Sequence, residues 1–311
     1  MATFATPDQL LVIIDPVARS TDGESVRIAK DVLGAGAAST KVCLPESPEE
    51  FARMLQRRGS RRPVLIGDDR ALVRTVALLH RRRELAGCVL SVVPVGPVLG
   101  VAHALGVPTG AVAAARAVLD GTERRLDVLV DDSDGVVLGA LRIPALPAES
   151  SAADPSGAGS SGAASSGSPS SGSPSSGSPS SGGGSHGRPW LHSLVRTLAH
   201  PRTARPSRLA AAPPSPGPAR LRVEVDGETL VDLDQPVEAV SVTPGASGTA
   251  DVIVRPLSLG ADAAPIEARG RTVTVSGADF RYRADASVAG PVRRRTWTVR
   301  EGALGLMLPG R

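Results

Sequence analysis

Residues 62–108 read RPVLIGDDRALVRTVALLHRRRELAGCVLSVVPVGPVLGVAHALGVP, and this stretch decides the fold. Two apolar runs, 64–66 and 89–93, flank a segment whose apolar residues recur at helical spacing. Strand, loop, helix, strand and loop form the βαβ unit of a parallel sheet. Because ligands of such sheets bind at the carboxyl ends of the strands, loops 67–71 and 96–100 are the candidate site.

The same alternation extends outward from this unit. An apolar strand at 10–14 ends in Asp15-Pro16, and a short strand is expected at 42–44. Ser47-Pro48 then provides a capping serine and a first-turn proline, which together predict a helix start. Strand and helix alternate as far as residue 119, so the sequence predicts a parallel, doubly wound α/β domain.

The C-terminal part of the chain has a different periodicity. From residue 220 onward apolar and polar residues alternate as in antiparallel strands, and turn signals such as Asp226-Gly227 separate the strands. Residues 136–143 are expected to form one earlier strand. The pattern predicts an all-β sandwich domain.

Residues 151–187 interrupt this second domain. They are rich in Ser, Gly and Pro, and the unit SSGSP repeats over 165–179. Without apolar anchors such a segment cannot offset the entropy of ordering, so we expect a disordered linker inserted into the chain.

An amphipathic helix is predicted over residues 188–200. Its apolar side chains from Trp190 to Leu198 fall on one helical face, and no acidic residue occurs between Asp154 and Glu224. Two interpretations remain open. Such a helix is most often docked on its own domain, but the arginines beside Trp190 also suit a lipid substrate or an anionic membrane surface.

Composition excludes several classes of function. The net charge is +4 and aromatic residues make up 2% of the chain, so no nucleic-acid-binding platform is expected. Cys43 and Cys88 lie in apolar runs, which is typical of buried thiols in a reducing cytoplasm. Residues 86–115 lack charged side chains, but three prolines argue against a membrane-spanning helix there. We therefore expect a cytoplasmic protein without a signal peptide, peripheral at most at the inner membrane face; monomer and homodimer both remain open.

The two loops resemble motifs of a known family. GDDRAL at 67–72 and PVGPVLGVAHALGVP at 94–108 are similar, in register, to GGDGTL and PLGTGNDFARxLGIP of the diacylglycerol kinase catalytic domain of bacterial lipid kinases. The shared positions are Gly67, Asp69, Leu72, Pro94, Gly96, Ala102, Leu105, Gly106 and Pro108. The closing segment 294–309 resembles TWTVEPGALRLLLP, and residues 126–128 resemble the start of the family's second, all-β domain.

The resemblance covers residues 1–143 and 189–311, and it carries implications for organisation and activity. It implies an α/β kinase domain over 1–123 and a β domain formed by 124–150 and 220–311. It also implies phosphoryl transfer from ATP, with Mg²⁺, to a lipid hydroxyl such as that of diacylglycerol. The nucleotide-binding positions implied are Asp15, Pro16, Gly67, Asp68, Asp69, Arg70, Ala71, Gly96 and Pro97.

The chemistry of these motifs is altered. Family glycines that approach phosphate are replaced by Asp68 and Arg70, and further motif residues by Ala71, Pro97, Leu99 and Gly100. Asp15 stands where the family has asparagine, and its charge would repel a triphosphate unless a metal intervened. Arg70 could contact phosphate or exclude nucleotide. We expect Asp68 and Asp69 to cap a helix and not to form a metal pair.

The family's catalytic Asp-Gly-Glu corresponds to Asp285-Ala286-Ser287. The candidate base Asp285 is kept, although an aspartate in a turn is also commonly a solvated residue. Ser287 replaces the magnesium-binding glutamate and is a poor ligand alone. No Walker-type GxxxxGK[ST] and no GxSxG occur.

Three functions therefore remain open. The chain could be a catalytically impaired lipid-binding or regulatory relative of the lipid kinases, which the altered motifs favour. It could instead be an active lipid kinase with an atypical phosphate loop, or a nucleotide-free structural partner of another protein.

Overall fold

The computed structural model describes residues 9–144, 219–257 and 264–310. The predicted linker at 151–187 and the predicted helix at 188–200 lie outside the described residues. No helix within the described ranges is long and apolar enough to cross a membrane.

The N-terminal half alternates strands and helices as the sequence predicts. Its elements are β1 (Gln9–Ile14), α1 (Pro16–Thr21), α2 (Gly23–Gly36), β2 (Ser39–Cys43), α3 (Pro48–Gln56), β3 (Arg62–Gly67), α4 (Asp69–Arg81), β4 (Val89–Pro94), α5 (Gly100–Ala104) and α6 (Ala111–Asp120). The strands lie in the order β2-β1-β3-β4, and each neighbouring pair is parallel.

Helices cover both faces of this parallel sheet. Leu10, Val12 and Ile14 pack with α1, α2 and α6 in one buried cluster. Leu11 and Ile13 pack with α3, α4 and α5 in another. Because successive strand residues point to opposite faces, an almost wholly apolar strand such as β1 fits only a sheet covered on both sides. The predicted parallel α/β arrangement of these elements is confirmed.

The rest of the described chain consists of strands. They are β5 (Thr122–Asp131), β6 (Val136–Val137), β7 (Leu141–Ile143), β8 (Ala219–Val225), β9 (Glu228–Val231), β10 (Pro236–Pro244), β11 (Ala250–Pro256), β12 (Ile266–Gly270), β13 (Thr272–Ala284) and β14 (Ser287–Leu308). Their mutual pairing is antiparallel, as expected from residue 220 onward.

These strands enclose a core around Trp297, which is fully buried. Tyr282 meets the Trp297 ring edge-on, with ring centroids 5.2 Å apart. Strand β14 then links the two halves. Gly305 and Leu306 pair in parallel with Val89 and Leu90 of β4 on one edge of β14, while the same residues pair antiparallel with β5 on the other edge.

Strands β7 and β8 lie end to end at the same position in the sheet, and both pair with β10 and β13. Ile143 pairs with Val240, whereas Ala219 pairs with Val237 of the same strand, three residues along. The chain therefore leaves and re-enters the sheet about 10 Å apart, at about 3.4 Å per residue. β7 and β8 thus share a single strand position, and residues 144–218 lie between them in the sequence.

One strand prediction needs correction. Residues 136–143 form β6 and β7 separated by Leu138, Gly139 and Ala140, and not one continuous strand. The backbone N–H groups of these three residues bind the carboxylate of Asp285 and so leave the strand ladder.

Candidate functional site

Three strand ends of the parallel sheet meet at one edge. The Asp15 N–H donates to the Ile66 carbonyl at 2.9 Å, and the Val95 N–H donates to the Gly67 carbonyl at 3.0 Å. The Asp69 N–H donates to the Val98 carbonyl at 2.9 Å. The loops that sequence analysis singled out are therefore held against one another by their backbones.

Two glycines allow this close approach. A Cβ atom at Gly67 would lie 2.8 Å from the Ala71 Cβ and 3.2 Å from the Asp15 Cβ. Gly96 has φ +138°, and a Cβ there would lie 2.8 Å from the Asp68 Cβ. Both glycines are thus required by loop packing, independently of any phosphate.

Asp15 caps a helix and joins two elements. Its buried carboxylate accepts the Val17 N–H at 2.9 Å at the start of α1, where Pro16 is the first helical residue. The other oxygen accepts from the Arg74 guanidinium of α4 at 3.3 Å. The charge that was expected to repel a triphosphate is therefore paired with an arginine of this chain.

Asp68 and Asp69 cap two different helices. Asp68 accepts the Ala71 N–H at 3.0 Å and caps α4. Asp69, which is 1% exposed, accepts the N–H groups of Val101 at 2.8 Å and Ala102 at 3.0 Å in the first turn of α5. Burial raises the pKa of Asp69 above its ordinary value, although these N–H bonds oppose the shift.

Asp285 sits in a cradle of backbone donors. Its carboxylate accepts N–H groups of Leu138 at 2.7 Å, Gly139 at 2.7 Å and Ala140 at 3.0 Å. Successive N–H groups that converge in this way form an anion-binding nest. Burial raises the pKa of Asp285 against these hydrogen bonds, and the charge of nearby Asp69 raises it further. The carboxylate is thus a bound anion and not a solvated turn residue.

The remaining sequence-predicted residues offer few groups to a phosphate. Arg70 is exposed and has no ion-pair partner among the described residues. Ala71 is buried, and Pro97 is exposed and has no N–H to donate. The Ser287 hydroxyl donates to the Ala284 carbonyl at 3.3 Å.

These residues do not fit a bound Mg-ATP. The helix-start donors and the nest that could cradle phosphate already bind Asp15, Asp68, Asp69 and Asp285.

Sequence reasoning missed two features of this edge. Arg74 lies one helical turn after Arg70, so its position on the same face of α4 was a usable signal. The nest left no such signal, because it is made of backbone groups of apolar residues that any sequence provides.

A separate cleft of about 970 Å³ lies at the opposite edge of the sheet. It is lined by residues of the end of α4, the loop before β4 and β14, including His80, Arg81 and Arg300. None of the sequence-predicted site residues lines it. Its four acidic side chains are matched by four arginines, so it does not select one sign of charge.

Solved structures share this fold. A crystal structure of a Bacillus anthracis strain Sterne protein, provisionally named a diacylglycerol kinase, matches with TM-score 0.63 and 12% identity, covering 99% of this chain and 98% of that chain. A second structure of that description matches with TM-score 0.63 and 13% identity over 98% of both chains. A crystal structure of a diacylglycerol kinase from the same strain matches with a TM-score of 0.60 and 11% identity, again over 98% of both chains. At these identities the likeness shows a diacylglycerol-kinase-like fold alone. No protein-family model matches the chain, and no curated protein matches its sequence.

Proposed function

We propose that this protein is a lipid-kinase-like protein that has lost efficient phosphoryl transfer and acts by binding lipid or regulating a partner. The diacylglycerol-kinase-like fold supports the lipid-kinase part of the proposal. We further propose the two-domain organisation, the disordered linker at 151–187 and a cytoplasmic location that the sequence indicates.

One observation carries the loss of catalysis: carboxylates of the chain occupy the backbone donors at the candidate site. Phosphoryl transfer depends on backbone N–H groups, a metal and cationic side chains that cradle the transferring phosphate. Here four aspartates accept hydrogen bonds from those N–H groups. Of the four, only Asp15 forms an ion pair with a described residue, and its partner is Arg74.

The magnitude of the repulsion supports this proposal. An unpaired carboxylate about 4 Å from a phosphate charge costs about 4 kcal/mol at an effective dielectric constant of about 20. That cost is as large as the whole binding free energy of a complex with a dissociation constant of about 1 mM. Arg70 alone cannot offset several such contacts.

Asp285 has a structural role in this proposal. A general base must be free to accept a proton from the attacking hydroxyl. The Asp285 carboxylate instead binds three N–H groups and ties the turn between β13 and β14 to the break between β6 and β7. Ser287, in the same turn, supplies no second carboxylate for a metal.

A lipid phosphorylation assay tests the proposal. The full chain is incubated with radiolabelled ATP, Mg²⁺ and diacylglycerol in vesicles, beside the Asp285→Asn variant. We expect both proteins to give the same background incorporation into lipid. Lipid phosphorylation by the wild-type chain that is lost in Asp285→Asn would establish an active kinase with Asp285 as its base.

A further inference from the structure

A pocket of about 300 Å³ lies beside the outermost strand of the parallel sheet. Among the described strands, β2 pairs with β1 alone. Helix α3 packs over this end of the sheet through Phe51 and Leu55, which are buried. We call the space between Lys41 and Cys43 of β2 and residues 50–57 along α3 the β2–α3 pocket.

Two local periodicities form the walls of the β2–α3 pocket. Lys41 and Cys43 are two residues apart on β2, so their side chains point to the same face of the sheet. Leu11, the partner of Lys41 on β1, lines the pocket on that face. On the helix wall the lining residues are spaced i, i+3, i+4 and i+7, which places them along one side of α3. They are Glu50, Arg53, Met54 and Arg57.

The floor of the pocket is apolar. Leu11 is 2% exposed and Cys43 is 9% exposed, and Met54 lies half-buried beside them. An apolar floor below a few converging polar groups is typical of a small-molecule site, and about 300 Å³ is at the lower end of the usual size range.

The rim of the pocket carries three cations and one carboxylate. Lys41, Arg53 and Arg57 are exposed, and none of them forms an ion pair or a side-chain hydrogen bond with a described residue. The one acid, Glu50, accepts the Glu46 N–H at 2.8 Å, so its carboxylate is held at the start of α3. The rim therefore has a net positive charge, unlike the larger cleft, in which acids and arginines are equal in number.

The arrangement of these cations favours a bound anion. Arg53 and Arg57 are four residues apart along α3, a spacing at which like charges repel and destabilise a helix. Lys41 adds a third positive charge from the opposite wall. An oxyanion between the three would offset this repulsion, and guanidinium groups bind phosphate oxygens through pairs of parallel hydrogen bonds.

We propose that the β2–α3 pocket binds a small phosphate monoester, with the phosphate at its cationic rim and the organic group on its apolar floor. The volume suits a compound smaller than a nucleoside triphosphate. None of the residues of the candidate phosphate site at the strand ends lines this pocket, so the proposal does not rest on the proposed function.

Ligand-observed NMR tests the proposal with phenyl phosphate as the probe. The full chain is mixed with phenyl phosphate at low salt, without ATP, Mg²⁺ or lipid, and saturation transfer to the phenyl protons is recorded. We expect transfer that inorganic phosphate suppresses by competition and that the uncharged benzyl alcohol leaves unchanged. Phenyl phosphate should bind more tightly than inorganic phosphate, since only the monoester also covers apolar surface. Binding should weaken as salt rises, because the rim cations are exposed.

Two variants of α3 locate the binding site. Arg53→Gln with Arg57→Gln should weaken phenyl phosphate binding roughly tenfold or more, because it removes hydrogen bonds to a charged group. The matched control is Arg81→Gln with Arg116→Gln, which removes two exposed arginines from α4 and α6 and should bind like the wild-type chain. Glu50→Gln should strengthen binding, because it removes the one negative charge of the lining.

A variant of β2 keeps the test decisive if the α3 double variant lowers the melting temperature. Lys41→Gln removes the rim cation of the opposite wall and should weaken binding by itself.

Several results would overturn the proposal: no saturation transfer with the wild-type chain at low salt, competition by benzyl alcohol, inorganic phosphate binding as tightly as phenyl phosphate, equal loss in the rim and control variants, or weaker binding in Glu50→Gln. Because neither nucleotide nor lipid is present, these outcomes are independent of the phosphorylation assay.

Discussion

Replacing Asp285 with alanine removes the acceptor of three backbone N–H groups. A buried donor left unsatisfied costs roughly 1–3 kcal/mol, and the lower end applies because Asp285 is half-buried. The raised pKa of Asp285 shows that burial already disfavours its charge, which limits the loss further. Asp285 also has φ +50°, where alanine costs about 1 kcal/mol more. We expect a total of about 3–4 kcal/mol.

Urea unfolding at pH 7 measures this cost. The urea concentration at the unfolding midpoint should fall, while the dependence of the unfolding free energy on urea concentration stays unchanged. Asp134→Ala is the control for backbone strain, because Asp134 has φ +63° but is exposed and accepts no backbone N–H among the described residues. It should cost about 1 kcal/mol. If Asp285→Ala costs no more than Asp134→Ala, the nest contributes nothing to stability and Asp285 is a solvated turn residue.

Three further predictions concern other parts of the chain. Gly96→Ala should lower the free energy of unfolding by at least about 2 kcal/mol, because Gly96 has φ +138° and an added Cβ would lie 2.8 Å from the Asp68 Cβ. A loss below about 0.5 kcal/mol in urea unfolding would contradict the loop packing. Burial raises the pKa of Asp131, but hydrogen bonds from Ser133 and Gly135 outweigh it and hold that pKa below its ordinary value. The stability that this depressed pKa provides exists above the unfolded value of about 3.9 and is lost as pH falls through the folded pKa. The loss of unfolding free energy caused by Asp131→Asn should therefore become smaller as the pH is lowered from 7 to 3. A loss that does not depend on pH would contradict this prediction. Deleting residues 160–184 from the predicted linker should leave the melting temperature nearly unchanged. The connection between the described residues 144 and 219 would shorten from about 75 residues to about 50, which for a flexible chain alters the closure free energy by only about 0.4 kcal/mol. A fall of many degrees would show that this segment stabilises the fold.

The sequence predicts the parallel sheet well because three of its four strands, β1, β3 and β4, are apolar on both faces. Strands β1, β3 and β4 alternate with helices that have clear starts, such as Ser47 before α3. The break at residues 138–140 could not be predicted, because the group that causes it lies 147 residues away from Leu138 in the chain. Local periodicity carries no information about such a contact.

The candidate site was predictable in position but not in detail. Strand ends of a parallel sheet converge, so the loops around Asp15, Gly67 and Gly96 could be placed together from the sequence. The pairing of Asp15 with Arg74 could not, since it depends on how α4 lies against α1. The occupation of the nest by Asp285 likewise depends on a contact between segments of the β half that are distant in the sequence.

Calorimetric titration with Mg-ATP tests most directly whether the chain's own carboxylates close the phosphate site. The wild-type protein is titrated at pH 7, with a well-characterised ATP-binding protein as a control for the ligand. We predict a dissociation constant weaker than about 1 mM, which corresponds to less than about 4 kcal/mol of binding free energy. Saturable binding at or below about 1 mM would contradict the account, because it would require N–H donors that four aspartates occupy.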